Sequence, residues 1–240
     1  MRNYDLSKNI KDLKLFLETG TLNRNNHWKK YRTAVKFARK TQIDLKEKKI
    51  LAKVDEIFFD GWDVPKFSIK VGSILLSFSI LILQVFYFFT FSLSLNFELG
   101  VILFVSISFM NFILSHTLIH WIFGSILGIN FWNYFIFKST FRKSKFLSWI
   151  PIVKFPTFGI KFELSSFLAA SKWKRSLMFI SAPIISWIWF VINFIPLFNS
   201  FYDQIFLLQL IGLIIFTIFV ISQVTSFFFY GDFWKARQDY

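Results

Sequence analysis

Four stretches of this chain contain no Asp, Glu, Lys or Arg: Val71–Phe97, Leu99–Phe137, Ser176–Tyr202 and Gln204–Gly231. Each exceeds the roughly 20 residues a helix needs to cross a hydrocarbon core about 30 Å thick. Lipid offers no partner for backbone N–H and C=O groups, so a helix is the natural form of each run. The sequence therefore predicts an all-α membrane protein with four transmembrane helices, near residues 70–95, 99–125, 176–199 and 204–230. With 36 phenylalanines in 240 residues, a soluble domain would have too little interior for its rings. The first run lies behind about 65 polar residues, so it does not read as a secretory signal peptide.

The cationic side chains are confined to particular segments. Seventeen Lys and Arg lie between Arg2 and Lys70, nine between Lys138 and Arg175, and two in the tail, at Lys235 and Arg237. The connections around Glu98 and Asp203 each carry one acid and no base. Positive charge stays on the cytoplasmic side, which predicts a multi-pass protein of the cell membrane with both termini and the 138–175 loop inside. The net charge of +14 is then accounted for by anionic lipid beside the spans, and no nucleic-acid partner is expected.

Two units are expected: a small helical cytoplasmic domain over residues 1–65 and the four-span domain over 66–240. In the first, Ile10, Leu13 and Leu17 recur at helical spacing, with Gly20 as a stop. Trp28, Tyr31, Val35 and Ala38 form a second apolar stripe, and Leu51, Val54 and Phe58 a third. These stripes have three possible partners: one another, the membrane surface or another protein. Gly61-Trp62-Asp63-Val64-Pro65 ends the third helix. Downstream, the second apolar run is too long for one span. Its helix is expected to stop near Gly124 or Gly128, with Phe131-Trp132-Asn133-Tyr134 at the interface. Within the 138–175 loop, Ile160-Lys161-Phe162-Glu163-Leu164 alternates as a short strand does.

The chemistry is concentrated in Ser115-His116-Thr117-Leu118-Ile119-His120. Residues four apart share one helical face, so the two imidazoles point the same way. They form half of a zinc site, presented as helical metalloproteases present theirs. The alternative is a pair of polar residues hydrogen-bonded to neighbouring helices or headgroups. Position inside a span favours function, because ionisable residues are costly there. The chain has no cysteine, which excludes thiolate ligands, thiol nucleophiles and disulfides.

His116-Thr117-Leu118-Ile119-His120, followed by Gly124, Gly128 and Ile129, resembles the active-site helix of the site-2 protease family of intramembrane zinc metalloproteases. That family carries His-Glu-x-x-His, with a Gly-Val or Gly-Ile pair near the offset of Gly128-Ile129. Lys174-Arg175-Ser176-Leu177-Met178-Phe179-Ile180-Ser181-Ala182-Pro183 is similar to the start of its next core helix, where a basic cluster precedes Ala-Gly-Pro. The piece from Pro156 to Leu164 falls where the family places a short substrate-lining sheet. The likeness spans roughly residues 99–235, and it implies a zinc cofactor and membrane-protein partners.

Three departures bear on activity. Thr117 stands where the family has the glutamate that activates zinc-bound water, and Ala182 stands for the glycine of Ala-Gly-Pro. Loss of a general base typically costs on the order of 10²–10⁴ in rate. The family's third ligand, an aspartate in Asn-x-x-Pro…Asp, has two contenders. Asn193, Pro196 and Asp203 imitate the motif, but Asp203 is in the outer connection, and His116 is 17 residues inward from Leu99. At about 1.5 Å per residue that is roughly 25 Å of depth. Asp232, where the fourth span emerges, is at a compatible depth and completes a His116, His120, Asp232 set. Its other role would be to cap the short tail Phe233-Trp234-Lys235-Ala236-Arg237.

Three functions follow as expectations. In the first, the protease scaffold is kept, peptidase chemistry is lost, and the protein binds other membrane proteins and a metal. In the second, it is an active metalloprotease with another base, such as Glu163. The third is a structural or transport protein with incidental histidines.

Overall fold

The computed structural model describes residues 6–19, 24–41, 43–93, 95–138 and 156–228, together with Asp232 and Lys235. The chain begins with three amphipathic helices, α1 (Leu6–Thr19), α2 (Arg24–Lys40) and α3 (Leu45–Asp60). Helix α3 starts at a reciprocal cap: Glu47 N–H donates to the Asp44 carboxylate at 2.7 Å, and Asp44 N–H to Glu47 at 3.3 Å. This satisfies two N-terminal donors that would otherwise lack partners. The three apolar stripes pack on one another, with Leu13, Tyr31, Ala38, Leu51, Val54 and Phe58 buried in one core. Gly20, the expected stop of α1, is outside the described residues.

After the break at Gly61, a short strand β1 (Lys66–Ser68) leads directly into α4 (Ile69–Phe91), with Ser68 capping the helix by accepting from Val71 N–H. Helix α5 (Phe97–Ile126) follows, then the strands β2 (Phe131–Lys138) and β3 (Pro156–Phe162). A short α6 (Leu164–Ala169) precedes α7 (Lys172–Ser186) and α8 (Ile188–Ser200), and α9 (Ile205–Phe228) comes last. Four helical stretches are long and apolar enough to cross a membrane: Ile69–Phe91, Phe97–Ile126, Lys172–Ser200 and Tyr202–Ile221. Their outer faces carry exposed Ile74, Phe78, Phe89, Ile102, Phe206 and Phe216, as helices bathed in hydrocarbon do.

Helix α5 is the axis of the bundle and touches α4, α7, α8 and β3. The third stretch is a broken helix. Pro183 has no N–H for the Phe179 carbonyl, and at Trp187 tighter bonds take over, Trp187 N–H to Ile184 and Phe190 N–H to Trp187. The fourth stretch is peripheral, with 6% of it buried against 39% of the third.

The sheet is antiparallel in the order β1-β2-β3, with Phe67 opposite Tyr134 and Tyr134 opposite Ile160. The sequence placed Phe131–Tyr134 at an interface without assigning it structure; it forms the first half of β2. A run of aromatic and β-branched residues is a good strand former once a partner strand is beside it. The expected strand at 160–164 begins earlier and stops at Phe162, because Glu163 is already the first boundary residue of α6.

The bundle has two contrasting ends. At one, Phe97 and Phe201 meet edge to face at 5.4 Å, bringing the Glu98 and Asp203 connections together. At the other, the core of α1–α3 continues without a break into Ile129, Leu164, Phe167, Met178 and Phe179. The α1–α3 helices are thus built onto the base of the bundle.

Candidate metal centre

Two local features of α5 set the position of the histidines. Its C-terminus closes in a Schellman turn: Gly128 N–H bonds to Ser125 at 3.0 Å and Ile129 N–H to Gly124 at 2.8 Å, with Gly128 at φ +83°. A left-handed residue there is what this turn requires, and glycine adopts it without strain. Gly124 allows close packing, since a Cβ on it would lie 2.3 Å from the Phe131 ring and 3.1 Å from Met178 Sδ. Helix α7 therefore lies tight against the last turns of α5, which carry His116 and His120.

The site is assembled from both ends of the chain. His116 Nε2 is 2.7 Å from Asp232 Oδ2, and His120 Nε2 is 3.2 Å from the same oxygen. Each of the three residues offers one ligand atom, and these atoms lie within 4.8 Å of one another. A tetrahedral ion with ligands about 2.0–2.2 Å away needs them roughly 3.4 Å apart. The two imidazole–carboxylate distances, 2.7 and 3.2 Å, are within a small adjustment of that. A metal ion can be held here.

The hydrogen bonds around His120 make the case for a cation. Its Nδ1 is 2.9 Å from the main-chain carbonyl of Met178. A carbonyl only accepts, so Nδ1 carries the hydrogen, and in the neutral ring Nε2 keeps a lone pair. That lone pair faces the Asp232 carboxylate. Lone pair against anion is repulsive unless a proton or a metal ion lies between them. A histidine whose far nitrogen is anchored on a carbonyl is the usual arrangement of a metal ligand. His116 Nδ1 is buried without a partner, so the working nitrogen of His116 is Nε2, aimed into the cluster.

Asp232 is buried, and its second oxygen accepts from Lys235 Nζ at 2.7 Å. Burial alone would raise its carboxyl, but the Lys235 ammonium and the two imidazoles outweigh that and hold it well below the usual carboxylate range. It is thus kept ionised, the form a metal requires. The expected capping role of Asp232 concerns a tail that, apart from Lys235, is outside the described residues.

Other residues singled out by the sequence are placed elsewhere. Thr117 Oγ1 donates to the Phe158 carbonyl of β3 at 3.0 Å; it ties the helix to the sheet. Asp203 is exposed in a 3-10 turn at the opposite end, next to Phe201. Asn193 is buried between helices, its Nδ2 donating to Ser108 Oγ at 3.0 Å while its main-chain carbonyl accepts from the Tyr87 hydroxyl at 2.6 Å. Neither joins the histidines. Glu163 accepts from Asn130 Nδ2 at 3.1 Å and from the Ser165 hydroxyl. Ala182 is fully buried.

A second polar cluster joins β3 to the N-terminal helices. Lys161 Nζ of β3 sits 2.6 Å from each oxygen of Asp55 in α3, and Tyr31 of α2 donates to the same carboxylate at 2.5 Å. Its one sequence hint is Lys161, a lysine between Ile160 and Phe162 in the alternating segment. Compared with known protein families, curated proteins and solved structures, the chain matches none.

Proposed function

We propose that this is a multi-pass protein of the cell membrane, with cytoplasmic termini, that holds a zinc ion on His116, His120 and Asp232 in a site-2-protease-like core and does not cut peptide bonds. Its role is to bind other membrane proteins. One observation carries the metal assignment: Asp232, 112 residues beyond His120, meets both Nε2 atoms while His120 Nδ1 is committed to Met178. Two imidazoles and a carboxylate suit zinc in a three-ligand site with an open position. The same donors suit ferrous iron, so the metal found on purification decides between them.

The loss of peptidase chemistry rests on Thr117. Its hydroxyl already donates to Phe158, and a threonine hydroxyl does not take up a proton at neutral pH. Glu163, the other carboxylate considered, is held by Asn130 and Ser165, which gives the active-protease alternative no support. The orientation follows from the base-free connections at Glu98 and Asp203.

Elemental analysis of the detergent-purified chain tests the metal. About one zinc per chain is expected, and none when His116 and His120 are both replaced by Ala. A metal-free chain, or one whose zinc survives both substitutions, overturns the assignment. An assay on a model membrane substrate tests the chemistry: no cleavage is expected from the unmodified chain, and measurable cleavage from Thr117→Glu. Robust cleavage by the unmodified protein refutes the lost-activity reading. Accessibility tags beside Glu98 and Asp203 should react from outside the cell, and a cytosolic response reverses the topology.

A further inference from the structure

Two of the three metal ligands are fixed by the same rigid helix, and the third is not. His116 and His120 are one turn apart on α5, at the centre of the bundle. Asp232 comes after α9, the least embedded of the four candidate spans, of which 6% is buried. A helix attached so lightly does little to fix the residues that follow it. Something else has to put Asp232 within bonding distance of the imidazoles.

The contacts of Lys235 identify it. The carbonyl of Lys235 accepts from Arg39 Nη2 at 3.1 Å. Arg39 lies in the last turn of α2, nearly two hundred residues earlier. Its guanidinium is itself seated on two rings, 5.4 Å from the centroid of Phe167 and 5.9 Å from that of Phe179. Its backbone carbonyl accepts from Arg175 Nη2 at 2.7 Å, and Arg175 is buried and stacks over Phe167 at 5.3 Å. Arg39 is therefore held by α6 and α7 while it holds the tail. Lys235 completes the connection, its ammonium lying 5.4 Å over Phe179 and reaching Asp232 Oδ1 at 2.7 Å.

We infer that Arg39 is a positioning residue for the metal centre: the α1–α3 bundle completes the site from outside the membrane-spanning helices by clamping the segment that delivers Asp232. This rests on the proposal that His116, His120 and Asp232 bind a metal. It assigns α1–α3 a task beyond contact with lipid. Metal affinity becomes a property that the N-terminal helices set, and displacement of Arg39 from Lys235 would loosen the third ligand and leave the two histidines in place.

The test is a zinc-affinity measurement on the full chain in detergent, by competition with a chelator of known affinity. Partners that orient a metal ligand typically contribute about 10–100-fold in affinity. Arg39→Ala is expected to weaken zinc by that factor, and Lys36→Ala, an exposed cation on the same helix, to leave it unchanged. In an Asp232→Ala background Arg39→Ala should add nothing, because its effect runs through Asp232. Arg39→Met keeps the stem on the two rings and removes the donor, so it serves if Arg39→Ala does not fold. Equal losses in both backgrounds, or an unmodified affinity in Arg39→Ala, overturn the clamp while the metal site stands. An unmodified chain that binds no zinc removes the site and the clamp together.

Discussion

Two aspartates of this molecule, Asp55 and Asp232, are buried, and their surroundings differ in one respect. Asp55 has a lysine on both carboxylate oxygens and a tyrosine hydroxyl donating to one of them. Its charge is balanced by the protein itself. Asp232 has a lysine on one oxygen, and its other oxygen faces two imidazoles, one of which has already given its hydrogen to a carbonyl. The first cluster is closed: its lysine and tyrosine join α2, α3 and β3 through the one carboxylate. The second needs a proton or a metal ion between Asp232 and His120 Nε2. Both carboxylates are buried, so burial does not separate the two clusters; the donors around them do.

The largest effect expected from this comparison is on stability. Asp55→Ala strands the Lys161 ammonium in the interior, and breaking a buried pair from one side typically costs about 3–5 kcal/mol. Thermal unfolding in detergent should show this loss, with zinc affinity unchanged. Asp232→Ala should do the opposite, costing the metal-free protein far less than Asp55→Ala but lowering zinc affinity by about 100-fold, or roughly 2.7 kcal/mol. If the two substitutions destabilise the metal-free chain equally, the distinction between closed and open clusters is lost.

Smaller effects sharpen the picture. Thr117→Val removes the donor to Phe158 and should cost about 1 kcal/mol of stability, with zinc content unaltered; a loss of zinc would make Thr117 part of the metal site. Tyr31 supplies a pH signature for the closed cluster. Its burial, with the Asp55 carboxylate beside it, raises the phenol well above its ordinary value. The folded state thus holds that proton more tightly than the unfolded chain. The contribution is complete below about pH 10, where free tyrosine titrates, and is lost as pH climbs towards the folded-state value. Stability measured from pH 9 upward should fall more steeply for the unmodified chain than for Tyr31→Phe, and parallel curves would detach Tyr31 from the Asp55 cluster.

The parts of this molecule that were legible in the sequence are those governed by local rules. Hydrocarbon admits only long uncharged helices, so the four stretches could be read directly, and each falls within a few residues of its helix. The i, i+4 spacing of His116 and His120 set them on one face before any fold was known. Depth along a helix separated Asp203 from Asp232, and the two are indeed at opposite ends. What escaped depends on pairing between distant segments. β1 is three residues long and has no periodicity to detect. The Asp55–Lys161 pair joins residues more than a hundred positions apart, and Arg39 meets Lys235 across a still longer gap. The break at Trp187 follows from Pro183, but the apolar run around it continues unchanged.

The group that orients His120 is a main-chain oxygen. Any residue at position 178 presents the same carbonyl, so the imidazole is steered by the course of α7 and not by the identity of a side chain. Mutation at that position can change packing without changing the tautomer.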